Sequence, residues 1–267
     1  MYDFRRCKLC GQTAAKPRYR LKQMTLHVCA DCGFHFIDAL DEFPEDLTDG
    51  SPLTAAASRY IESRLPQNAR QLARALEFVH AHTALAGRQC LDIGAGAGQF
   101  PAMLREAGAV AYGVEPQQVF RDFAREQFQV DLRRERIEDP YWREGFAGHF
   151  DVVTLWDTLE HVNFPAETLQ AASEVLKPGG FLFLDTPSRS AWFYRASEWS
   201  YRLSRGRSPM LLNSLYSPRP YRHKQIFTAD QLENLLRRCG LAPARRSFSQ
   251  RSGNKLVVAA RKGQAGT

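Results

Sequence analysis

Residues Leu91–Phe100 read LDIGAGAGQF: a short apolar run carrying one acid, then glycines at three alternate positions, Gly94, Gly96 and Gly98. A strand that enters such a turn and leaves it as a helix brings backbone amides close to a ligand, and glycine turns of this kind often cradle phosphate. Asp92 stands directly before the turn and would repel one. A dinucleotide fingerprint G-x-G-x-x-G begun at Gly94 needs its third glycine at position 99, where the chain has Gln99. The next apolar run ends in a second acid, Glu115. Two acids around a close backbone suit a ligand with an ammonium group and ribose hydroxyls and without phosphate.

Outward from this turn the pattern alternates. Strands are expected at Gln89–Ile93, Val110–Glu115, Phe150–Trp156 and Phe181–Asp185, and helices at Gln99–Ala107, Gln118–Gln127 and Ala166–Leu176. That rhythm predicts an α/β fold with a doubly wound, mostly parallel sheet. A helix is expected from Asn68, stopped by Gly87, and another at Ala229–Cys239, followed by strands near Arg245–Ser249 and Leu256–Ala260. Residues 38–66 read as a linker, 67–262 as the main domain and 263–267 as a tail. Residues 187–222 break the rhythm with arginines and aromatics, among them Trp192, Trp199, Tyr216 and Tyr221. An insertion at this point lies over the carboxyl ends of the strands, where open α/β sheets bind ligands, so a substrate lid is expected. An aromatic face packed on the sheet and an interfacial helix touching anionic lipid are the other readings.

Four of the six cysteines fall early, as Cys7-x-x-Cys10-Gly and Cys29-x-x-Cys32-Gly. This spacing is that of a tetrahedral four-sulfur zinc site, and each following glycine tolerates the positive φ that turns amides toward sulfur. Residues 1–37 therefore read as a zinc-ribbon-like module whose metal is structural and supplies much of its folding free energy. His27 and His35 are spare ligands, and Cys90 and Cys239 are inert core thiols. The formal charge is +7, but from Thr186 onward 16 lysines and arginines face 3 acids. This asymmetry points to an anionic partner near the C-terminal third or to solvated arginines. No apolar stretch is long enough to span a bilayer and no leader is evident at the start, so a cytoplasmic protein is expected.

S-adenosylmethionine has the ammonium, the ribose and no phosphate. The ordered set LDIGAGAGQF, GVEP, FDVVTLWDTLEHV and LKPGGFLFLDTP resembles the successive motifs of class I S-adenosylmethionine-dependent methyltransferases, in the branch with an L-E-H-V turn. The resemblance covers roughly residues 68–260 and implies a seven-stranded Rossmann-like sheet. It implies that Asp92, Gly94, Gly96 and Gly98 form the cofactor loop and that Glu115 takes the ribose hydroxyls. The adenine turn maps to RRERIEDP, where Arg136 stands in place of the family's acid, leaving Ile137 and Glu138 as adenine neighbours. Trp156 and Asp157 would border the transferable methyl. Some bacterial sugar and natural-product methyltransferases also carry a four-cysteine module before this fold, and RHKQIFTADQL is similar to the stretch that follows the lid.

A hydroxyl or carbon acceptor needs a base with a pKa near neutrality. His223, beside Tyr221, is expected to be that base, and His161 to support the site wall. In ubiquinone O-methyltransferases the Glu160-His161 pair is associated with a divalent metal. The expected function is methylation of a small molecule, such as a sugar or nucleotide-linked sugar. The alternative is an RNA methyltransferase that uses the cysteine module and the basic C-terminal third.

Overall fold

A computed structural model of the chain describes residues 2–42, 52–207, 209–248 and 254–264, without the side chains of residue 210 and residues 245–248. Among the described residues ten strands form two sheets. The first three are β1 (Ala15–Arg20), β2 (Thr25–Cys29) and β3 (His35–Ile37). After helix α1 (Ala55–His80) come β4 (Gln89–Ile93), α2 (Gln99–Glu106), β5 (Val110–Val114), α3 (Gln118–Phe128), α4 (Pro140–Gly145), β6 (Phe150–Leu155), α5 (Pro165–Val175) and β7 (Leu176–Pro187). The last elements are α6 (Trp192–Leu203), α7 (Met210–Asn213), β8 (Gln225–Ile226), α8 (Ala229–Arg238), β9 (Leu241–Phe248) and β10 (Lys255–Lys262).

The larger sheet has the order β5-β4-β6-β7-β10-β9, with β4 parallel to both β5 and β6. The chain leaves β4 to one side for β5 and returns to the other side for β6, so the order reverses at β4. This is the topological switch where open α/β sheets bind ligands, and the glycine turn begins there.

Among the described residues this sheet has six strands where seven were expected. Beyond β5 the chain makes only one parallel bridge, Val114 to Arg133. Glu115 N donates to Arg133 O at 2.8 Å and Arg133 N donates to Gly113 O at 2.9 Å. The residues after Leu132 are the charged run Arg133-Arg134-Glu135-Arg136, which offers no apolar alternation to extend the pairing. Asp139 then caps α4 by accepting from Tyr141 N at 2.8 Å. A cleft of about 340 Å³ lined by Tyr112, Val130, Arg133 and Tyr141 remains along this edge.

Helix α1 also differs from expectation, because residues 55–66, read as linker, are helical. Thr54 caps the helix, its Oγ1 accepting from Ala57 N at 3.2 Å, and three alanines follow. Pro66 lies inside α1, where it costs one hydrogen bond without ending the helix. Of the expected linker, residues 43–51 lie outside the described residues. Ser249 and residues 265–267 of the expected last strand pair and tail do so too.

The chain divides into two compact units. A sheet unit comprises Phe43–Trp156, Ala171–Phe183 and Arg261–Thr267, and a cysteine unit comprises Met1–Glu42, Asp157–Gln170 and Leu184–Ala260. In the cysteine unit the second sheet runs β1-β2-β3-β8, so the N-terminal hairpins are completed by a strand from far along the chain, with His35 opposite Ile226. Phe34 packs on Phe227 at 5.1 Å between ring centres, and Gln231 Nε2 donates to Cys32 O at 2.7 Å. Residues 1–37 thus share a core with the segment around residues 225–231. Among the described residues no helix is long and apolar enough to cross a membrane.

Candidate functional site

In the sheet unit, strand β4 delivers Asp92 and the turn after it. All three glycines are left-handed, with φ of 77° at Gly94, 51° at Gly96 and 79° at Gly98. Their reasons differ. A Cβ on Gly98 would come within 2.5 Å of the Ala124 side chain, so this glycine lets α2 and α3 pack closely. A Cβ on Gly96 would meet nothing within 4 Å, so this glycine faces the open space that a ligand needs.

Asp92 and Glu115 are both buried. Asp92 accepts a hydrogen bond from Thr154 Oγ1 at 2.6 Å, across the β4–β6 pair. Glu115 holds the loop, one carboxylate oxygen accepting from Gly96 N and the other from Gln117 N, each at 2.9 Å. Burial pushes Asp92 up to about 7, against the Thr154 bond, and the charge of Glu115 adds to the rise. Burial likewise pushes Glu115 up to about 7, although its two backbone bonds oppose the shift. Two such buried acids beside an open glycine could receive a cation. Trp156, at the end of β6, packs edge-on against Phe100 with ring centres 5.6 Å apart. Ile137, buried, and Glu138, half-buried, lie in the turn before α4.

A second constellation lies in the cysteine unit. Glu160 is wholly buried, and both carboxyl oxygens lack a hydrogen-bond partner among the described residues. Its Oε1 lies 3.9 Å from His161 Nε2 and 4.0 Å from His223 Nε2, and the two imidazole rings are 4.9 Å apart. Burial raises the Glu160 carboxyl well above its usual range, and Asp157 and Asp185 push it further. Burial also lowers both histidines, His161 to about 4 with the help of His223. Burial thus favours the uncharged form of all three groups. One ligand atom from each of the three residues falls within 4.8 Å of the others, a donor set that also suits a divalent transition metal.

His223 is held from behind. Its Nδ1 lies 3.1 Å from Leu215 O and donates to it, which leaves Nε2 as the basic nitrogen. The loop that carries it is fixed by Lys224, fully buried, whose Nζ pairs with Asp41 Oδ1 at 2.7 Å and donates to Arg219 O at 2.6 Å. Tyr221 has φ of 54°, and its N donates to Asp41 Oδ2 at 2.8 Å. Asp157 is also left-handed, with φ of 48°, and its N donates to Asp185 Oδ1 at 2.6 Å. Lys255 Nζ bridges Asp157 and Asp185.

The four cysteines converge. All four sulfurs lie within 4.8 Å of one another, with Cys7 and Cys32 at 3.6 Å and Cys10 and Cys29 at 3.7 Å. A tetrahedron with metal–sulfur bonds of about 2.3 Å has edges near these lengths, and a disulfide would need about 2 Å. Gly11 and Gly33 have φ of 78° and 65°, and Leu9 N donates to Cys7 Sγ at 3.4 Å. The sulfurs fit a single zinc ion. His35 is no part of this set, since its Nδ1 bonds Tyr194 OH at 2.8 Å. Cys90 is buried between strands, and burial pushes its thiol up to about 12, which makes it inert.

A family model described as a methyltransferase domain matches residues 60–244, more than half of the chain. The chain belongs to the methyltransferase domain family. Within this family it is 35% identical over 122 residues to the ubiquinone biosynthesis O-methyltransferase of Methylococcus capsulatus, covering 45% of this chain and 52% of that protein. The chain thus spans about half the length of the curated relatives it matches. The magnesium protoporphyrin IX methyltransferase of Synechocystis PCC 6803, solved with bound SAH, superposes with a TM-score of 0.55 at 16% identity over 73% of this chain and 83% of that one. A possible histamine N-methyltransferase of Thermotoga maritima gives 0.53 at 20% identity over 77% of this chain and 97% of that one. These two likenesses establish a Rossmann-like methyltransferase fold.

Several residues of these constellations were not singled out from the sequence. Thr154 sits one strand away from Asp92, a pairing that only the sheet register brings about. Glu160 was named only with His161 as a metal-associated pair, and its place between the two histidines comes from the fold. Lys224, Lys255 and Asp41 carry no local signal, because the ionic partner of each lies at least 70 positions away.

Proposed function

We propose that this methyltransferase domain transfers a methyl group from S-adenosylmethionine to a small organic acceptor, with a hydroxyl oxygen as the acceptor atom. The observation that carries the reading is the buried pair Asp92 and Glu115 around a left-handed glycine turn at the switch point of the sheet. The cofactor, when bound, supplies a methyl group activated by a sulfonium. Asp92 and the turn Gly94–Gly98 hold its ammonium end, Glu115 its ribose hydroxyls, Ile137 and Glu138 its base, and Trp156 and Asp157 flank the methyl. His223 takes the acceptor's proton and His161 supports it, with Tyr221 beside them. The printed activity of the Methylococcus relative, an O-methyltransferase, favours oxygen over nitrogen or carbon. A sugar hydroxyl fits this chemistry, and the arginine excess of the C-terminal third suits an anionic acceptor. Cys7, Cys10, Cys29 and Cys32 hold one structural zinc. The test of the class is labelling: with methyl-labelled cofactor and cell extract, label should stay in the small-molecule fraction after nuclease and protease. Label lost with nuclease would favour an RNA acceptor.

Two results are expected at the cofactor loop. Replacing Glu115 by alanine should weaken cofactor binding by about 1.5–3 kcal/mol, the value of hydrogen bonds to a charged group. Titration calorimetry checks this, and tight binding of NAD with none of the methyl donor would remove the basis of the proposal. The second result concerns protons. Both acids have folded pKa values raised to about 7, above their unfolded values near ~4, so the folded chain binds the extra protons. Without ligand, stability should therefore fall as pH rises from ~4 to ~7. A cationic ligand lowers both values, so binding at a pH just below 7 should release protons and affinity should rise with pH. Calorimetry in two buffers of different ionisation enthalpy reads the release directly. Equal enthalpies would mean that the acids do not face the ligand.

A further inference from the structure

Helix α6 has two apolar faces, and the fold uses only one of them. Tyr194 and Ser197 are buried, and Tyr194 belongs to the core of the cysteine unit with Tyr19, Leu26, Ile37 and Tyr216. Polar bonds pin the same face. Tyr194 OH bonds His35 Nδ1 at 2.8 Å and Tyr216 OH at 2.6 Å, and Tyr201 OH accepts from Arg20 N at 2.9 Å. The helix is thereby fixed in rotation about its axis.

The opposite face carries Trp192, Ala196, Trp199 and Leu203, at spacings of four, three and four residues, which is one stripe at about 100° per residue. Trp192 is 69% exposed, Trp199 67% and Leu203 64%. Leu211 in α7 is 45% exposed and Phe193 37%. Of the seven large apolar side chains that are exposed among the described residues, these five fall within residues 192–211, so they form a patch and not a scatter.

The rim of the patch is cationic. Arg195 and Arg202 lie along one flank of the stripe, and Arg205 and Arg207 follow its C-terminal end, all exposed. Arg20 and Lys22 are near, because their backbone amides donate to Tyr201 OH and to Asn213 Oδ1 at 3.0 Å. The only acid between residues 192 and 207, Glu198, is turned to the protein and accepts from Tyr19 OH at 2.7 Å.

From this arrangement we infer that α6 docks the protein onto an anionic lipid bilayer surface, lying in the interface plane with Trp192, Trp199 and Leu203 in the acyl boundary and the arginines on headgroup phosphates. Tryptophan favours this boundary, and arginine pairs with phosphate through two parallel donors. A second copy of the chain fits less well. It would set arginine rims against each other with Glu198 already engaged. A nucleic acid would match the charge but not Leu203 and Leu211, which have no ring to stack on bases. The inference does not depend on the methyl-transfer reading, since lipid binding needs no cofactor.

The experiment is co-flotation of the full chain with vesicles of phosphatidylcholine alone and of phosphatidylcholine with about 30 mol% phosphatidylglycerol, a typical anionic surface. Binding is expected to the anionic vesicles, weaker to the neutral ones, and reduced at about 0.5 M salt, where the Debye length falls below the reach of the rim. Tryptophan emission should shift to the blue on binding, because Trp192 and Trp199 move out of water while Trp142 and Trp156 are already buried. The double substitution Trp192→Ala and Trp199→Ala should lower partitioning by at least about tenfold, the loss of two interfacial anchors, with an unchanged melting curve. Replacement of both by phenylalanine should restore part of it. The inference is overturned by absence of binding to anionic vesicles, or by a double variant that binds like the parent. It is equally overturned if the parent ignores vesicles and instead binds single-stranded RNA, or forms a dimer, through the same two tryptophans.

Discussion

Replacing His223 by alanine is expected to lower turnover by about 10²–10⁴-fold, the usual cost of losing a general base, while cofactor affinity stays unchanged. The bond from Nδ1 to Leu215 O fixes the tautomer and leaves Nε2 to take a proton. Burial holds the imidazole below its ordinary pKa, so it is neutral and ready near pH 7. The acidic limb of the pH–rate profile should accordingly lie below ~6.5 in the parent and vanish in the variant. His161→Ala is expected to act on stability instead, because its ring backs the His223 ring. The two histidines lie at nearly equal distance from Glu160 Oε1, so the two substitutions decide between them. If His161→Gln loses turnover without unfolding while His223→Ala keeps it, the roles are exchanged. If neither matters, the acceptor is an amine that is already neutral when bound, for which alignment suffices.

How much of this was legible before folding depends on the range over which each signal acts. The glycine turn, Asp92, Glu115 and the alternation of strands and helices are local, and the sheet unit follows them closely. The helix expected at Ala229–Cys239 is also local, and it starts at a capping box of Thr228 and Gln231 with both bonds present. The linker bound at residue 66 misled, since an acidic stretch followed by small polar residues reads as linker, whereas the helix capped at Thr54 already runs through residues 55–66 and tolerates Pro66 at the cost of one bond. The missing strand beyond β5 misled in the other direction, because a family pattern was extended over a charged run that pairs only at Arg133. The pairing of β3 with β8, the Lys224–Asp41 ion pair and the Lys255 bridge left no trace in the sequence. They join segments far apart in the chain, and no periodicity encodes such a partner.

Purified protein is expected to contain one zinc per chain, and Cys29→Ser to unfold the N-terminal hairpins. Structural zinc contributes about 10–16 kcal/mol in small cysteine-ligated peptides, which is as large as the whole stability of a typical domain. Read from the sequence alone, the damage would stop at residue 37. The structure carries it further. Ile37 N donates to Lys224 O at 2.9 Å, β3 pairs with β8, and Arg238 Nη1 donates to Leu9 O at 3.0 Å. Lys224 is next to His223, and Asp41 anchors both Lys224 and Tyr221. Loss of the metal should therefore cost turnover as well as local order, although no cysteine touches the acceptor. Cofactor binding should survive, because Asp92 and Glu115 draw their side-chain bonds from Thr154, Gly96 and Gln117, all within the sheet unit. The decisive measurement pairs metal analysis and calorimetry on Cys29→Ser with hydrogen exchange over residues 215–231. Faster exchange there with cofactor affinity retained is the expected result. Protein purified without zinc, or cofactor binding that disappears with the metal, would show that the sulfurs do something other than hold this half of the molecule together.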